Sequence, residues 1–292
     1  MITNKEPLVS IIMNCYNGEK YVYEAINSVL SQTYTNWELI FWDNLSTDKS
    51  KDVFFNFNDI RLKYKLSDNH TNLSEARIKA IKKSQGSLIA FLDVDDFWHK
   101  DKLEKQVSLF NDKDIMFSCT SCKVIYENSN KRLDIEPPRS LSGQVFNELL
   151  ENYFVVLSSL MIRQYAYNAT GGFSKKYHII GDFDLVTKLA LHGRCGIAHE
   201  FLTYNRKHDN NESIIKSNIH SQELLEWKQC NVELLNTANQ NSRDKLIKNI
   251  EFSCIVNDIN KKNVSIDTIR MCIRQKPLNI LKAIFHFLNK YV

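Results

Sequence analysis

Three short apolar runs, each closed by a polar residue, constrain this chain more than any other feature. LVSIIMN (8–14), WELIFWD (37–43) and SLIAFLD (87–93) are too short for buried helices and rich in β-branched and aromatic residues, so they read as buried strands. Between the first two, Tyr21, Val22, Ala25, Ile26, Val29 and Leu30 form a stripe at helical spacing. RLKYKLS (61–67) alternates weakly and reads as a further strand. From Asn72 to Gln85, the positions of Leu73, Ala76, Ala80 and Ile81 are helical, with Gly86 placed to end that helix in the left-handed conformation. This β-α-β-β-α-β order predicts an α/β fold, a mainly parallel sheet flanked by helices. Ligands of such sheets bind outside the carboxyl ends of the strands, where this sequence puts Asn14, Asp43 and Asp93.

Further along, strands are expected over DIMFSCTSCKVIY (114–126), VVLSSLMI (155–162) and around GIAHEFLTY, and helices over 142–153 and 182–193. Pro137-Pro138 marks a loop and Gly171-Gly172 a turn. After about residue 214 strand signals give way to helices rich in Asn, Lys, Ile and Leu. The chain therefore divides, on sequence, into a domain over 1–213 and a helical C-terminal extension over 214–292. Leu278, Ile280, Leu281, Ile284, Phe285 and Leu288 make one apolar face near the end, which suits an interfacial membrane helix and core or partner packing equally.

No apolar run reaches the roughly 18 residues that span a bilayer, and the first residues lack a signal-peptide pattern. Seven scattered cysteines fit a reducing cytoplasm. Cys119 and Cys122 form a C-x-x-C inside an expected strand, where odd spacing sends the thiols to opposite faces and argues against zinc. A net charge of +4, without a basic stripe interleaved with aromatics, argues against nucleic acid.

The segment FLDVDDFW (91–98) packs Asp93, Asp95 and Asp96 between a buried strand and two aromatics. Carboxylates gathered without a cation raise one another's pKa and destabilise the fold. A divalent cation removes that cost, and Mg²⁺ takes one or two protein carboxylates while phosphate oxygens and water complete its shell. Asp93 and Asp95 share a face of a continued strand and Asp96 points away. The cluster therefore suits a metal–diphosphate ligand. Taken singly, Asp43 also reads as a turn residue, Tyr16 as packing, Asp182 as a helix N-terminal acid and His208 as a loop histidine.

Taken together, the motifs resemble those of the family-2 inverting glycosyltransferases, enzymes of the GT-A (Rossmann-like) fold. The matching segments are Tyr16-Asn17, Ser28 to Tyr34, Asp43 to Asp48, SEARIKAI with Arg77, FLDVDD, GGF (171–173), GDFDL (181–185) and YNRKHDNNES (204–213). They follow the family's order over about 210 residues. The resemblance implies that Asn14, Tyr16 and Asn17 bind the donor, Asn14 and Tyr16 lining its nucleoside pocket, and that Asp43 accepts a hydrogen bond from the base. It implies Arg77 near the nucleotide, Asp93 on the ribose, Asp95 on the metal, His208 as a second metal ligand or diphosphate contact, and Asp182 as catalytic base. Departures are Asn14 where many members have Pro or Thr, Asn44 for Asp, Gly181 for the Glu before the base, and Asn205 and Lys207 beside His208.

The implied activity is inverting transfer of a hexosyl or N-acetylhexosaminyl group, dependent on Mn²⁺ or Mg²⁺. The donor is a nucleotide-sugar, UDP-linked by preference, and the acceptor a hydroxyl of a glycan or lipid-linked saccharide, in bacterial surface polysaccharide synthesis. Such an enzyme is expected in the cytoplasm, and the mildly basic chain is compatible with peripheral association at the inner membrane face and with a homo-oligomer. Two other readings stay open: a sugar-nucleotide nucleotidyltransferase and a non-catalytic nucleotide-sugar-binding protein. NCYNGEKY after the first strand has a single Gly, which disfavours a phosphate loop.

Overall fold

The computed structural model describes residues 6–260 except 130 and 142. The apolar face expected at 278–288 lies outside the described residues. Among the described residues nine strands form one sheet: β1 (Val9–Cys15), β2 (Trp37–Asp43), β3 (Leu62–Leu66), β4 (Leu88–Phe91), β5 (Phe97–Trp98), β6 (Ile115–Tyr126), β7 (Arg132–Ile135), β8 (Met161–Arg163) and β9 (Arg194–Lys207). The helices are α1 (Val22–Leu30), α2 (Ser50–Phe55), α3 (Leu73–Ile81), α4 (Lys102–Leu109), α5 (Phe146–Glu151), α6 (Gln164–Ala169), α7 (Gly181–His192), α8 (Glu212–Ile215), α9 (Ser217–Cys230), α10 (Val232–Thr237) and α11 (Gln240–Asn260). Strand order is β3-β2-β1-β4-β8-β6-β9-β5, with β7 paired to β6. The first four strands run parallel; β8 runs antiparallel to both β4 and β6, while β6 and β9 are parallel.

The parallel half follows from the sequence. Parallel neighbours need a crossover on one face, and α1 supplies the first by burying Val22, Ala25, Ile26 and Val29 in a core that contains Val9, Ile11 and Met13 of β1. α2 supplies the second; it is six residues long, and the sequence reading passes straight over it from β2 to β3. The register sets Cys15 opposite Asp43, and Asp43 opposite Leu66. The backbone N–H of Leu92 donates to the Ile12 carbonyl. Asn14, Asp43 and Asp93 therefore emerge along one edge of the sheet.

Two local expectations are corrected. Gly86 does not end α3 in a left-handed conformation: the helix closes at Ile81 with Lys82 in the right-handed region, and Gly86 is absent from the positive-φ glycines. What demands glycine is close approach to β1, since a Cβ there would lie 2.6 Å from the Leu8 carbonyl oxygen and 2.7 Å from the Ser10 nitrogen. The Gly86 N–H donates to Ser10 Oγ, which in turn donates to the buried Glu38 carboxylate. Gly86→Ala is thus expected to destabilise the fold by about 1–3 kcal/mol through overpacking, measured by urea unfolding. The second correction concerns VVLSSLMI, which is not one strand. Leu157–Ser159 forms a 3₁₀ turn and only Met161–Arg163 joins the sheet. The serines divert this segment by bonding elsewhere, Ser158 to the acidic turn and the Ser159 carbonyl to Gln106.

The chain divides into two compact units, residues 1–145 with 154–208, and 146–153 with 209–292. The first holds the sheet. In the second, Glu151 of α5 accepts hydrogen bonds from Asn241 and Ser242 and pairs with Lys245, all on α11, and Trp227 of α9 is fully buried. Among the described residues no helix is long and apolar enough to cross a membrane. The described cysteines are free; Cys119 and Cys122 are both buried, and Cys119 faces Cys195, the sulfurs 4.0 Å apart.

Candidate active site

The acidic turn follows β4 and is anchored from below. Asp96 is the buried member: it accepts from Ser158 Oγ, from Asn205 Nδ2 at 3.0 Å to each oxygen, and from the Arg206 N–H at 2.9 Å. Burial pushes its carboxyl well up, the charges of Asp95 and Asp93 add to this, and the Ser158 and Asn205 hydrogen bonds oppose it. Ser158 Oγ also accepts from the Asp93 N–H at 3.1 Å, and its carbonyl accepts from Trp98 Nε1 at 2.8 Å. Beneath Trp98, the fully buried Lys102 ammonium sits 4.1 Å from its ring centroid and donates to Gln106; burial brings that lysine down to about 7. Asp96, Ser158 and Asn205 thus fix where Asp93 and Asp95 stand. Strand alternation points Asp96 away and the motif pattern makes Asn205 a departure; the complementarity of the two side chains is the signal that joins them.

β9 brings the second ligand candidate. β5 pairs antiparallel to it, Phe97 opposite Tyr204 with rings stacked at 4.7 Å. That pairing and the Asp96–Arg206 bond place His208 Nε2 3.1 Å from Asp95 Oδ2, across 113 residues of sequence. Arg206 Nε donates to the Asp95 carbonyl at 3.1 Å. The Asp95–His208 pair fits a divalent cation. Adjacent donors on an octahedral ion at about 2.1 Å lie about 3.0 Å apart, close to what this pair already shows. Among the described residues no group of three or more His, Cys, Asp or Glu side chains is arranged to hold a metal, so other ligands would have to complete the shell.

Arg77, buried on α3, reaches Asp93 at 3.0 Å. Asp182 stands in the first turn of α7, half-buried. Burial raises its carboxyl above the ordinary value, Arg77's charge pulls it back and Asp93's pushes it further up. Asp93, Arg77 and Asp182 therefore share one electrostatic neighbourhood. Gly181 is in tight contact with Ser74 of α3, which leaves no room for the side chain of a residue larger than glycine there without a shift.

The remaining expected residues cluster at the ends of β1 and β2. Asp43 is 1% exposed; its carboxylate accepts from the Ser46 N–H at 2.7 Å and from the Tyr64 hydroxyl at 2.6 Å. Tyr16 is 49% exposed, its ring tilted against His70 with centroids 4.3 Å apart. Asn17 adopts a left-handed backbone, φ 52°, and its Oδ1 accepts from the N–H and hydroxyl of Thr47, stapling the β1 loop to the loop after β2. Asn14 Nδ2 reaches the Leu73 carbonyl at 3.5 Å, and its Oδ1 is buried with no hydrogen-bond partner among the described residues.

The comparisons with known proteins agree with this geometry. The model of "Glycosyl transferase family 2" matches residues 10–171. TuaG of Bacillus subtilis (strain 168), whose name assigns it to teichuronic acid biosynthesis, is 34% identical over 165 residues, 55% of this chain and 64% of its own. WfgD of Escherichia coli, named a UDP-Glc:alpha-D-GlcNAc-diphosphoundecaprenol beta-1,3-glucosyltransferase, is 38% identical over 145 residues, 50% of this chain and 56% of its own. The chain thus spans less than two thirds of the length of these curated relatives. Among solved structures, S. aureus TarS 1–349 in complex with UDP-GlcNAc superposes with a TM-score of 0.66 at 17% identity, covering 91% of this chain and 78% of that one. The mannosyltransferase PcManGT from Pyrobaculum calidifontis, in complex with GDP-Man and Mn²⁺, gives 0.61 at 16%, covering 98% and 81%. The family match covers more than half of the chain and the fold is that of GT-A glycosyltransferases: this protein belongs to glycosyl transferase family 2.

Proposed function

We propose that the protein is a metal-dependent inverting glycosyltransferase. It moves a hexosyl or N-acetylhexosaminyl group from a UDP-sugar to a hydroxyl of a glycan or lipid-linked saccharide, in the synthesis of a bacterial surface polysaccharide. The observation that carries this reading is the approach of His208 to Asp95 at 3.1 Å, beside a basic and acidic pair, Arg77 and Asp93, and a carboxylate of raised pKa, Asp182. The names of WfgD and of the TarS and PcManGT complexes support it: a UDP-Glc donor with a diphosphoundecaprenol-linked acceptor, UDP-GlcNAc, and Mn²⁺.

In this reading Asn14, Tyr16, Asn17 and Asp43 form the nucleoside side of the site, and Asp43 accepts a hydrogen bond from the base. Asp93 meets the ribose, with Arg77 steadying it and lending positive charge near the nucleotide. Mn²⁺ or Mg²⁺, held by Asp95 and His208, would supply charge to the diphosphate leaving group. Asp182 takes the proton of the acceptor hydroxyl as that oxygen attacks from the face opposite the leaving group. Within the expected 1–213 domain, the unit that holds the sheet carries the chemistry, and the C-terminal extension, 214–292, is proposed to bring the enzyme to the cytoplasmic face of the membrane where a lipid-linked acceptor resides.

The test is release of UDP from a panel of UDP-sugars with Mn²⁺ and lipid-linked or free oligosaccharide acceptors. Transfer with at least one donor, lost on chelation by EDTA and restored by Mn²⁺, is expected. Tight binding of UDP-sugars with neither hydrolysis nor transfer would instead make the protein a non-catalytic binder.

A further inference from the structure

We infer that Tyr21 is a positioning residue for His208 and thereby tunes the affinity of this site for a divalent cation; the inference rests on Asp95 and His208 being the metal ligands. His208 follows the last residue of β9, so the strand ladder does not fix its ring. The last rung, from the Glu127 N–H to the Lys207 carbonyl, lies just before it. The imidazole lies instead against the ring of Tyr21, centroids 4.8 Å apart and planes 23° from parallel. That is the range in which aromatic pairs gain beyond simple burial.

Tyr21 is itself held on several sides. Its N–H donates to the Gly18 carbonyl at 2.8 Å, at the entry to α1. Its hydroxyl donates to Glu127 Oε2 at 3.1 Å, and Lys20 pairs with the other oxygen of that carboxylate at 2.5 Å. The guanidinium of Arg206 lies 5.3 Å from its ring centroid, and Arg206 also bonds the Asp95 carbonyl and Glu24. One aromatic ring thus links the start of α1, the turn after β6 and the end of β9, and its face limits the planes the imidazole can adopt. Nε2 can be kept toward Asp95 only while the ring plane is fixed. Groups that orient a metal-ligating histidine without touching the metal typically change metal affinity by about 10–100-fold when removed. Tyr21 has the geometry of such a group, though it works through a stacked face rather than a hydrogen bond to the imidazole.

The experiment is Mn²⁺ titration of the full chain with saturating UDP, followed by the electron paramagnetic resonance signal of free Mn²⁺. It is run for wild type, Tyr21→Leu, Tyr21→Phe, His208→Ala and the Tyr21→Leu/His208→Ala double variant, with metal-free UDP affinity measured beside it. Tyr21→Leu is expected to weaken Mn²⁺ about tenfold, Tyr21→Phe to keep most of the affinity because the stacked face remains, and metal-free UDP affinity to stay unchanged. In the double variant, Tyr21→Leu should add nothing to the loss caused by His208→Ala. Should Tyr21→Leu fail to fold, Tyr21→Met takes its place in the same cycle. Wild-type Mn²⁺ affinity in the ring-removing variant, or additive losses in the cycle, overturns the role of Tyr21 while leaving the metal site standing. Wild-type Mn²⁺ affinity in His208→Ala overturns both, because it removes His208 from the metal site.

Discussion

Asp182→Asn is expected to lower turnover at least about a hundredfold while leaving nucleotide-sugar affinity near the wild-type value. General-base transfer of a proton contributes roughly 10²–10⁴-fold, and an amide cannot take the acceptor's proton. The shape and hydrogen-bonding size of the side chain hardly change, so ground-state binding has little reason to respond. The raised carboxyl of Asp182 adds a second readout. Burial holds its pKa above 3.8 in the folded protein, so the acid limb of the wild-type rate profile should fall above that value, and the limb should vanish from the residual activity of the variant. Stability gives a third. Between the ordinary carboxylate pKa and the raised folded one, the folded chain binds more protons than the unfolded chain, so Asp182 costs stability as pH rises through that window and beyond. Asn never ionises, and the variant should melt no lower than wild type at neutral pH. A variant that is inactive because it is unfolded would show the opposite. Near-normal turnover in Asp182→Asn would remove this residue from the base role.

Asp95→Ala is expected to abolish the gain in UDP affinity that Mn²⁺ confers, a loss of at least about tenfold, since changes one shell further out already cost that much. Metal-free UDP affinity should persist, because Asp43, Tyr16 and Asn14 sit at the ends of β1 and β2 and do not depend on Asp95 for their placement. The fold should also persist. The carboxylate that ties the acidic turn to Ser158, Asn205 and Arg206 is that of Asp96, and the Asp95 carbonyl that accepts from Arg206 is backbone, which Ala retains. Calorimetry of UDP with and without Mn²⁺ checks this. Equal Mn²⁺ enhancement in wild type and variant contradicts it.

The parallel half of the sheet and the polar ends of its strands were legible because their signal is local. A run such as WELIFWD carries burial, β-propensity and a terminal carboxylate within seven residues, and β2 has those same bounds. α2 escaped because SKDVFF is too short to complete a periodic stripe. The role of Gly86 is hidden because glycine answers two different needs, a left-handed turn and a close approach, and the sequence does not say which; the neighbouring backbone of Leu8 and Ser10 decides it. VVLSSLMI looked like a strand because nothing within it reveals that Ser158 is committed to Asp96, 62 residues away. The same limit applies to the site. Asp93 and Asp95 stood out by their crowding, and His208 and Asp182 by resemblance alone. Their neighbours Asp96, Asn205 and Tyr21 are brought in by contacts made across the fold. A residue such as Asn205, which looks like an interruption of a motif, proves to be a ligand of the buried aspartate beneath it.

The proposed activity depends most on the acidic turn after β4 holding a cation for a sugar diphosphate. A crystal of the full chain grown with Mn²⁺ and UDP, with an anomalous map recorded at the manganese edge, tests that directly. Manganese bound by Asp95 and His208 and by oxygens of the diphosphate is the expected result. UDP seated at the ends of β1 and β2 with manganese elsewhere, or with Asp95 outside its coordination shell, would contradict it.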